Sequence, residues 1–205
     1  EIIVQDDRKP IPVSTYGLTH LISEEICNFY NRTTNVKCIN IRLSNSYGEP
    51  IFFNSKGWSL VINDLIRSAF FDKKIVLMGD GLEKRDFIHY SDYCNGIEKI
   101  ICSNDSFEEQ NTFDFNSSKS ISLIALAEII RHVYYKRNNI KIPIFINQND
   151  LWEGCIVNEN FIDNETTLSS NKSESKFIKI NKNLMSGIIE VFQYLEKMNN
   201  FSLGH

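Results

Sequence analysis

Between Ser14 and Leu43 the chain runs an amphipathic helix directly into an apolar, β-prone segment, and this succession restricts the fold more than any other feature. Leu18, Leu21, Ile22, Ile26 and Phe29 recur at helical spacing, which predicts one inward apolar stripe on a helix ending near Tyr30. Pro10 and Pro12 favour extended backbone ahead of it, and Ser14 is placed to cap its first turn. Val36 to Leu43 follows, apolar on both faces apart from Lys37, Asn40 and Arg42, as a strand covered on two sides would be. A helix feeding such a strand predicts α/β architecture around a parallel sheet.

The rest of the chain continues in the same style. Ser44 to Pro50 is a loop by composition and leaves the strand at its carboxyl end, where open parallel sheets bind their ligands. Trp58 to Phe71 predicts a second amphipathic helix with Trp58, Ile62, Leu65, Ile66 and Ala69 inward. Lys74 to Met78 and Arg85 to His89 are short strands that the Gly79-Asp80-Gly81 turn would join as a long-looped hairpin. Ser91 is placed to cap a helix whose stripe is Tyr93, Ile97, Ile100 and Ile101. Thr112 to Phe115 alternates like a strand, and Ser122 to Tyr134 is helical. Ile140 to Ile146 is β-prone, but Pro143 lacks a ladder donor and assigns it to a sheet edge. The Asn- and Ser-rich segment 154–175 is expected to be a long loop, followed by a helix from Leu184 to Met198 with Leu184, Ile188, Val191 and Leu195 inward.

Composition excludes several classes of function. A chain of 205 residues, 42% hydrophobic, supports one good core and at most a small second lobe. With a net charge of −4 it has no basic footprint for nucleic acid or for an anionic membrane surface. No apolar run approaches the roughly 20 residues that span a bilayer. Cys27, Cys38, Cys94, Cys102 and Cys155 lie far apart, with no Cys-x-x-Cys and no histidine at zinc-like spacing, so no metal site is expected and a reducing cytoplasm fits best.

The chemistry concentrates on the first helix. Tyr16, His20 and Glu24 follow one another at four-residue steps and form a second stripe, so a phenol, an imidazole and a carboxylate would stack within mutual reach. A solvated polar face would show the same spacing. Three ordered segments discriminate between the two: Pro12-Val13-Ser14-Thr15-Tyr16-Gly17-Leu18-Thr19-His20 with Glu24; Ile41-Arg42-Leu43-Ser44-Asn45-Ser46-Tyr47-Gly48; and Gly79-Asp80-Gly81 with Arg85-Asp86-Phe87-Ile88-His89 and Asp92. Together they resemble the extended short-chain dehydrogenase/reductases, in particular the NAD-dependent epimerase/dehydratase branch that acts on nucleotide sugars. The resembling patterns are P-x-S-x-Y-G-x-[ST]-K-x-x-x-E, R-x-x-N-x-Y-G and G-D-G-x-x-x-R-D-F-[IV]-x-x-x-D.

The resemblance implies the latter part of a Rossmann-like parallel sheet with a small α/β C-terminal substrate lobe. Residues 1–45 would be the remnant of the NAD-binding domain, and 46–205 mostly the substrate lobe interleaved with returning Rossmann elements. It implies NAD or NADP as cofactor, a nucleotide sugar as partner, and a homodimer through the Tyr16 and Trp58 helices. Tyr16 would be the catalytic acid/base, Tyr16 and His20 would contact the cofactor, Asn45 would hydrogen-bond the sugar nucleotide, and Arg85 would hold its diphosphate. Plainer alternatives stay open: a partly buried helix tyrosine, a loop asparagine, and an Arg85 paired with Asp86 or Glu83.

Two departures stand out. None of the chain's glycines forms the Gly-x-x-Gly-x-x-Gly loop that brings backbone N–H groups around a dinucleotide pyrophosphate. His20 stands where the family has lysine, whose permanent charge lowers the pKa of the tyrosine; Glu24 is expected to hold His20 protonated and restore part of that charge. The expected function is a cytoplasmic nucleotide-sugar epimerase, dehydratase or reductase given without its cofactor loop and inactive in that form. The alternative is a catalytically silent nucleotide-sugar-binding relic or subunit.

Overall fold

The computed structural model describes residues 10–103, 111–154, 167–168 and 177–203, with 167–168 and 201–203 described for their backbone alone. Helix α1 (Thr15–Thr33) begins where the prolines release the chain: Ser14 is extended and its Oγ accepts from the Gly17 N–H at 3.0 Å, the cap the sequence predicts. The apolar stripe is a correction. Helix α1 has no buried residue, and Leu18, Ile22, Ile26 and Phe29 are exposed, because no described element packs over them. Polar contacts tie the helix down instead. Asn31 Nδ2 donates to the Cys38 carbonyl at 2.8 Å and its Oδ1 accepts from the Cys38 N–H at 2.7 Å.

Strand β1 (Asn40–Leu43) is shorter and more open than the run from Val36 predicts, with Val36 and Leu43 both exposed. It pairs in parallel with β5 (Thr112–Phe115), as an α/β sheet requires. At Ser44, whose N–H still donates to the Phe115 carbonyl at 2.9 Å, the chain changes neighbour. Strand β2 (Asn45–Tyr47) then pairs in parallel with β4 (Lys84–His89), Asn45 opposite Phe87. The expected loop is therefore strand for three residues: the open edge of β4 supplies ladder partners that local composition cannot reveal. Gly48 ends β2 at φ +140°, where a Cβ would sit 2.1 Å from a carbon of the Tyr90 ring.

A 3₁₀ turn (Lys56–Ser59) leads into α2 (Val61–Phe71), and Trp58, Ile62, Leu65, Ile66 and Ala69 are all buried, as their periodicity predicts. The hairpin does not form. Strand β3 (Ile75–Val76) pairs in parallel with β7 (Ile144–Ile146), which pairs antiparallel with β8 (Asp150–Trp152). Strand β4 belongs to a separate four-stranded sheet, in the order β2-β4-β6-β9, with β6 (Lys119–Ser122) and β9 (Thr167–Leu168). The glycine turn carries the chain from one sheet to the other: the Gly79 carbonyl accepts from Asn147 and the Gly81 carbonyl from Ile124. Strand β7 is thus central, not an edge. Pro143 stands just before it and offers its carbonyl to the Ile75 N–H at 3.0 Å, so its missing donor weakens no rung.

Helix α3 (Tyr90–Cys102) is capped by His89, two residues earlier than expected, and Ile101 of its predicted stripe is exposed. Ser122 caps α4 (Leu123–Asn138), and α5 (Leu184–Leu203) buries Ile188, Val191 and Leu195 completely. Of the predicted loop 154–175, most lies outside the described residues. Apolar side chains gather in two clusters. The larger joins α2, α4 and α5, with Ile66, Ile130 and Phe192 at 0% exposure; the smaller sets Ile88, Phe113 and Phe115 with Ile100 of α3 and Phe177.

Candidate functional site

Tyr16 is the second residue of α1 and 75% exposed, its ring edge-on to that of His20 with 4.5 Å between centroids. One helical turn separates the two, so the contact follows from the backbone itself. Glu24, one turn further on, does not join them. Its carboxylate takes both Nε and Nη2 of Arg42, at 2.9 and 2.8 Å, and this fork raises the guanidinium's proton affinity. The expected coupling of Glu24 to His20 is corrected for a geometric reason: a planar guanidinium offers a carboxylate two parallel donors, and an imidazole cannot.

Asn45 lies at the point where the strand changes partners. Its Nδ2 donates to the Asp86 carbonyl at 3.0 Å on the neighbouring strand. Successive strand side chains alternate in direction, so Arg85 shares a face of the sheet with Phe87, the register partner of Asn45. The fold therefore brings Asn45 and Arg85 to one face. Arg85 Nη2 is held by the Glu83 carboxylate at 3.0 and 2.9 Å, the plainer partner foreseen for it, while its Nε is buried with no hydrogen-bond partner among the described residues. The Oγ of Ser44, beside Asn45, is orphaned in the same way. Asp80 closes its own turn, accepting from the Leu82 N–H at 2.9 Å.

Three further residues shape this region: Asn63, which sequence reasoning missed, and Asp92 and His89, which it quoted in the third motif without a role. Asn63 is 1% exposed and spends its amide on the loop after β2, accepting from the Gly48 N–H at 3.2 Å and donating to the carbonyls of Gly48 and Gly57. An asparagine inside an apolar helix stripe was the available signal. Asp92 is buried and accepts from the backbone N–H groups of Asn181 and Lys182, fastening the segment before α5 to α3. His89 is buried beside Tyr47, and burial keeps its imidazole less basic than usual despite Glu190 and Glu49 nearby. The Tyr47 phenol is pushed well above its ordinary range by burial, with Asp92 and Glu190 adding to the effect.

Where the chain passes from β1 to β2 it exchanges β5 for β4 as its parallel neighbour, and Asn45 and Arg85 stand on one face at that point. Residues 3–116 match the family model described as NAD dependent epimerase/dehydratase family. The chain belongs to that family. It is 30% identical over 148 residues to a dTDP-4-dehydro-6-deoxyglucose reductase of Escherichia coli, covering 71% of this chain and 45% of that protein. It is 31% identical over 128 residues to a putative UDP-glucose 4-epimerase of Methanocaldococcus jannaschii, covering 62% and 40%. The chain thus spans less than half the length of these relatives. The fold superposes with a TM-score of 0.66 on the UDP-glucuronic acid 4-epimerase of Bacillus cereus, solved in complex with UDP-glucuronic acid and NAD, at 18% identity over 95% of this chain and 56% of that one.

Toward an NAD-type cofactor, the exposed Tyr16–His20 pair offers a phenol and an imidazole, groups able to hydrogen-bond a hydroxyl. For the pyrophosphate this sequence holds no Gly-x-x-Gly-x-x-Gly cradle.

Proposed function

We propose that the chain is the substrate-lobe portion of an NAD(P)-dependent nucleotide-sugar epimerase, dehydratase or reductase. Residues 1–45 would serve the cofactor domain and 46–205 mostly the substrate. What carries this reading is the edge contact of Tyr16 and His20 on an open helix face, at the position where the family keeps its acid/base. The cofactor, when bound, supplies or accepts the hydride. Tyr16 Oη takes the proton of a sugar hydroxyl or returns one to a ketone, and His20 holds a ribose hydroxyl through a ring nitrogen. Asn45 orients the sugar nucleotide. Arg85 exchanges its Glu83 partner for the diphosphate, whose paired oxygens match the guanidinium better.

The test separates binding from chemistry. UDP and UDP-glucose titrated calorimetrically into the chain are expected to bind, and Arg85→Ala to weaken both by about tenfold or more. With a Gly-rich cofactor segment present, Tyr16→Phe is expected to abolish turnover and leave UDP affinity unchanged. No nucleotide binding in either form would end the proposal. A second reading, binding without redox chemistry, is favoured by the pairing of Glu24 with Arg42, which takes the third member of the expected Tyr16–His20–Glu24 stripe away from the other two. It predicts UDP-sugar binding that Tyr16→Phe does not alter, with no turnover in any form.

A further inference from the structure

Away from Tyr16 and Arg85, three elements turn one side chain each toward a common point. His89 closes β4, Glu49 follows Gly48 at the exit of β2, and Glu190 lies on α5; one ligand atom from each falls within 4.8 Å of the others. The His89 side chain is 1% exposed, and the two carboxylates are about a third open. Each carboxylate has one oxygen occupied. Tyr90 Oη donates to Glu49 Oε1 at 3.2 Å, and Lys182 Nζ donates to Glu190 Oε1 at 2.6 Å. The other oxygen of each faces His89 Nε2, at 3.9 Å from Glu49 Oε2 and 3.7 Å from Glu190 Oε2. These gaps are too long for hydrogen bonds. His89 Nε2 and Glu49 Oε2 are both buried with no partner among the described residues, a condition folded proteins avoid unless something else fills it.

We propose that His89 Nε2, Glu49 Oε2 and Glu190 Oε2 bind one divalent transition-metal cation, with zinc the best fit and water in the fourth position. One imidazole nitrogen and two carboxylate oxygens form a donor set zinc accepts, whereas calcium and magnesium ask for more oxygens and no nitrogen. Ligands on a tetrahedral zinc with bonds of about 2.0 Å stand roughly 3.3 Å apart, so the two carboxylates close on His89 by about half an ångström and on each other by up to about 1.5 Å, a rearrangement their exposure permits. An outer partner is at hand: His89 Nδ1 lies 2.8 Å from Ser91 Oγ and, by donating its proton there in place of the long 3.4 Å acceptance from the Ser91 N–H, would leave Nε2 free for the metal. Charge agrees as well, since among the described residues acting on His89 the carboxylates Glu49, Glu190 and Asp92 outnumber the ammonium of Lys182. The bound ion would pin α5 to the ends of β2 and β4, the strands that carry Asn45 and Arg85.

The chelator-stripped chain is titrated with Zn²⁺ against a chromophoric competitor, and with Co²⁺ to read coordination from its visible absorption. A single tight equivalent is expected, with tetrahedral-type cobalt bands and a higher Tm. Glu190→Gln and Glu49→Gln, each partly exposed and nearly isosteric, should weaken binding on the order of 100-fold and lose the Tm gain. Circular dichroism in EDTA verifies that both variants are folded. The double variant Cys94→Ser, Cys102→Ser should bind as the parent does. The proposal is overturned by no stoichiometric binding, by binding that survives both glutamine variants, or by binding lost with the cysteines.

Discussion

Arg85 decides how the proposed substrate contact behaves. Its partner Glu83 is half exposed, and a pair this open contributes about 0–1 kcal/mol, so a diphosphate competes with it easily. Glu83→Gln should therefore tighten UDP binding several-fold by isothermal titration, while a weaker affinity would show that the pair positions the guanidinium. Gly48 and Asn63 govern stability. Gly48→Ala forces a methyl into the Tyr90 ring at a φ that L residues rarely adopt, and Asn63→Leu strips partners from the buried Gly48 backbone. Each is expected to cost about 2–4 kcal/mol in urea unfolding. Placement was legible where it follows a local pattern: Tyr16 and His20 share a helix face, and Arg85 follows a glycine turn. Their pairings were not, because Arg42 reaches Glu24 and Tyr90 reaches Glu49 only once distant segments meet.

Among the elements, helices whose stripe meets the core were readable and strand partners were not. In α2 and α5 every predicted apolar position that repeats over two turns is buried or half-buried, because periodicity directly encodes a one-sided burial. Strand β3 has two residues, β2 three, and each is strand only because a remote edge completes it; the Gly79–Gly81 turn looked like a hairpin since a turn says where a chain bends, not which sheet it enters. Helix α1 shows the converse, a strong local pattern without a packed face. Its stability then depends on the Glu24–Arg42 fork and the Asn31–Cys38 clasp. Glu24→Gln and Asn31→Ala should speed amide exchange through Thr15–Thr33 and leave α4, with its buried face, unchanged. Equal acceleration in α4 would mean that α1 and the core open together.

At the scale of the molecule, the main cluster under α2, α4 and α5 is closed, while the β1–β5 side remains open. Leu18, Ile22, Ile26 and Phe29 form one apolar row along α1, and Val36 and Leu43 extend the exposed surface. No helix among the described residues is long and apolar enough to cross a membrane. A row of this kind on a chain of net charge −4 meets little long-range repulsion and should drive self-association when the chain is alone in solution. Ile22 and Ile26 are each about half exposed, so covering one contributes roughly 1 kcal/mol. Two such residues from each of two copies make the association constant sensitive to both. Ile22→Glu with Ile26→Glu should shift light scattering on a sizing column toward monomer by on the order of 1000-fold in dissociation constant, with the Tm of the dilute monomer unchanged because neither side chain supports the core. A parent chain that stays monomeric at its solubility limit would show that the row is not sticky in water; a fall in Tm would place it in contact with the core.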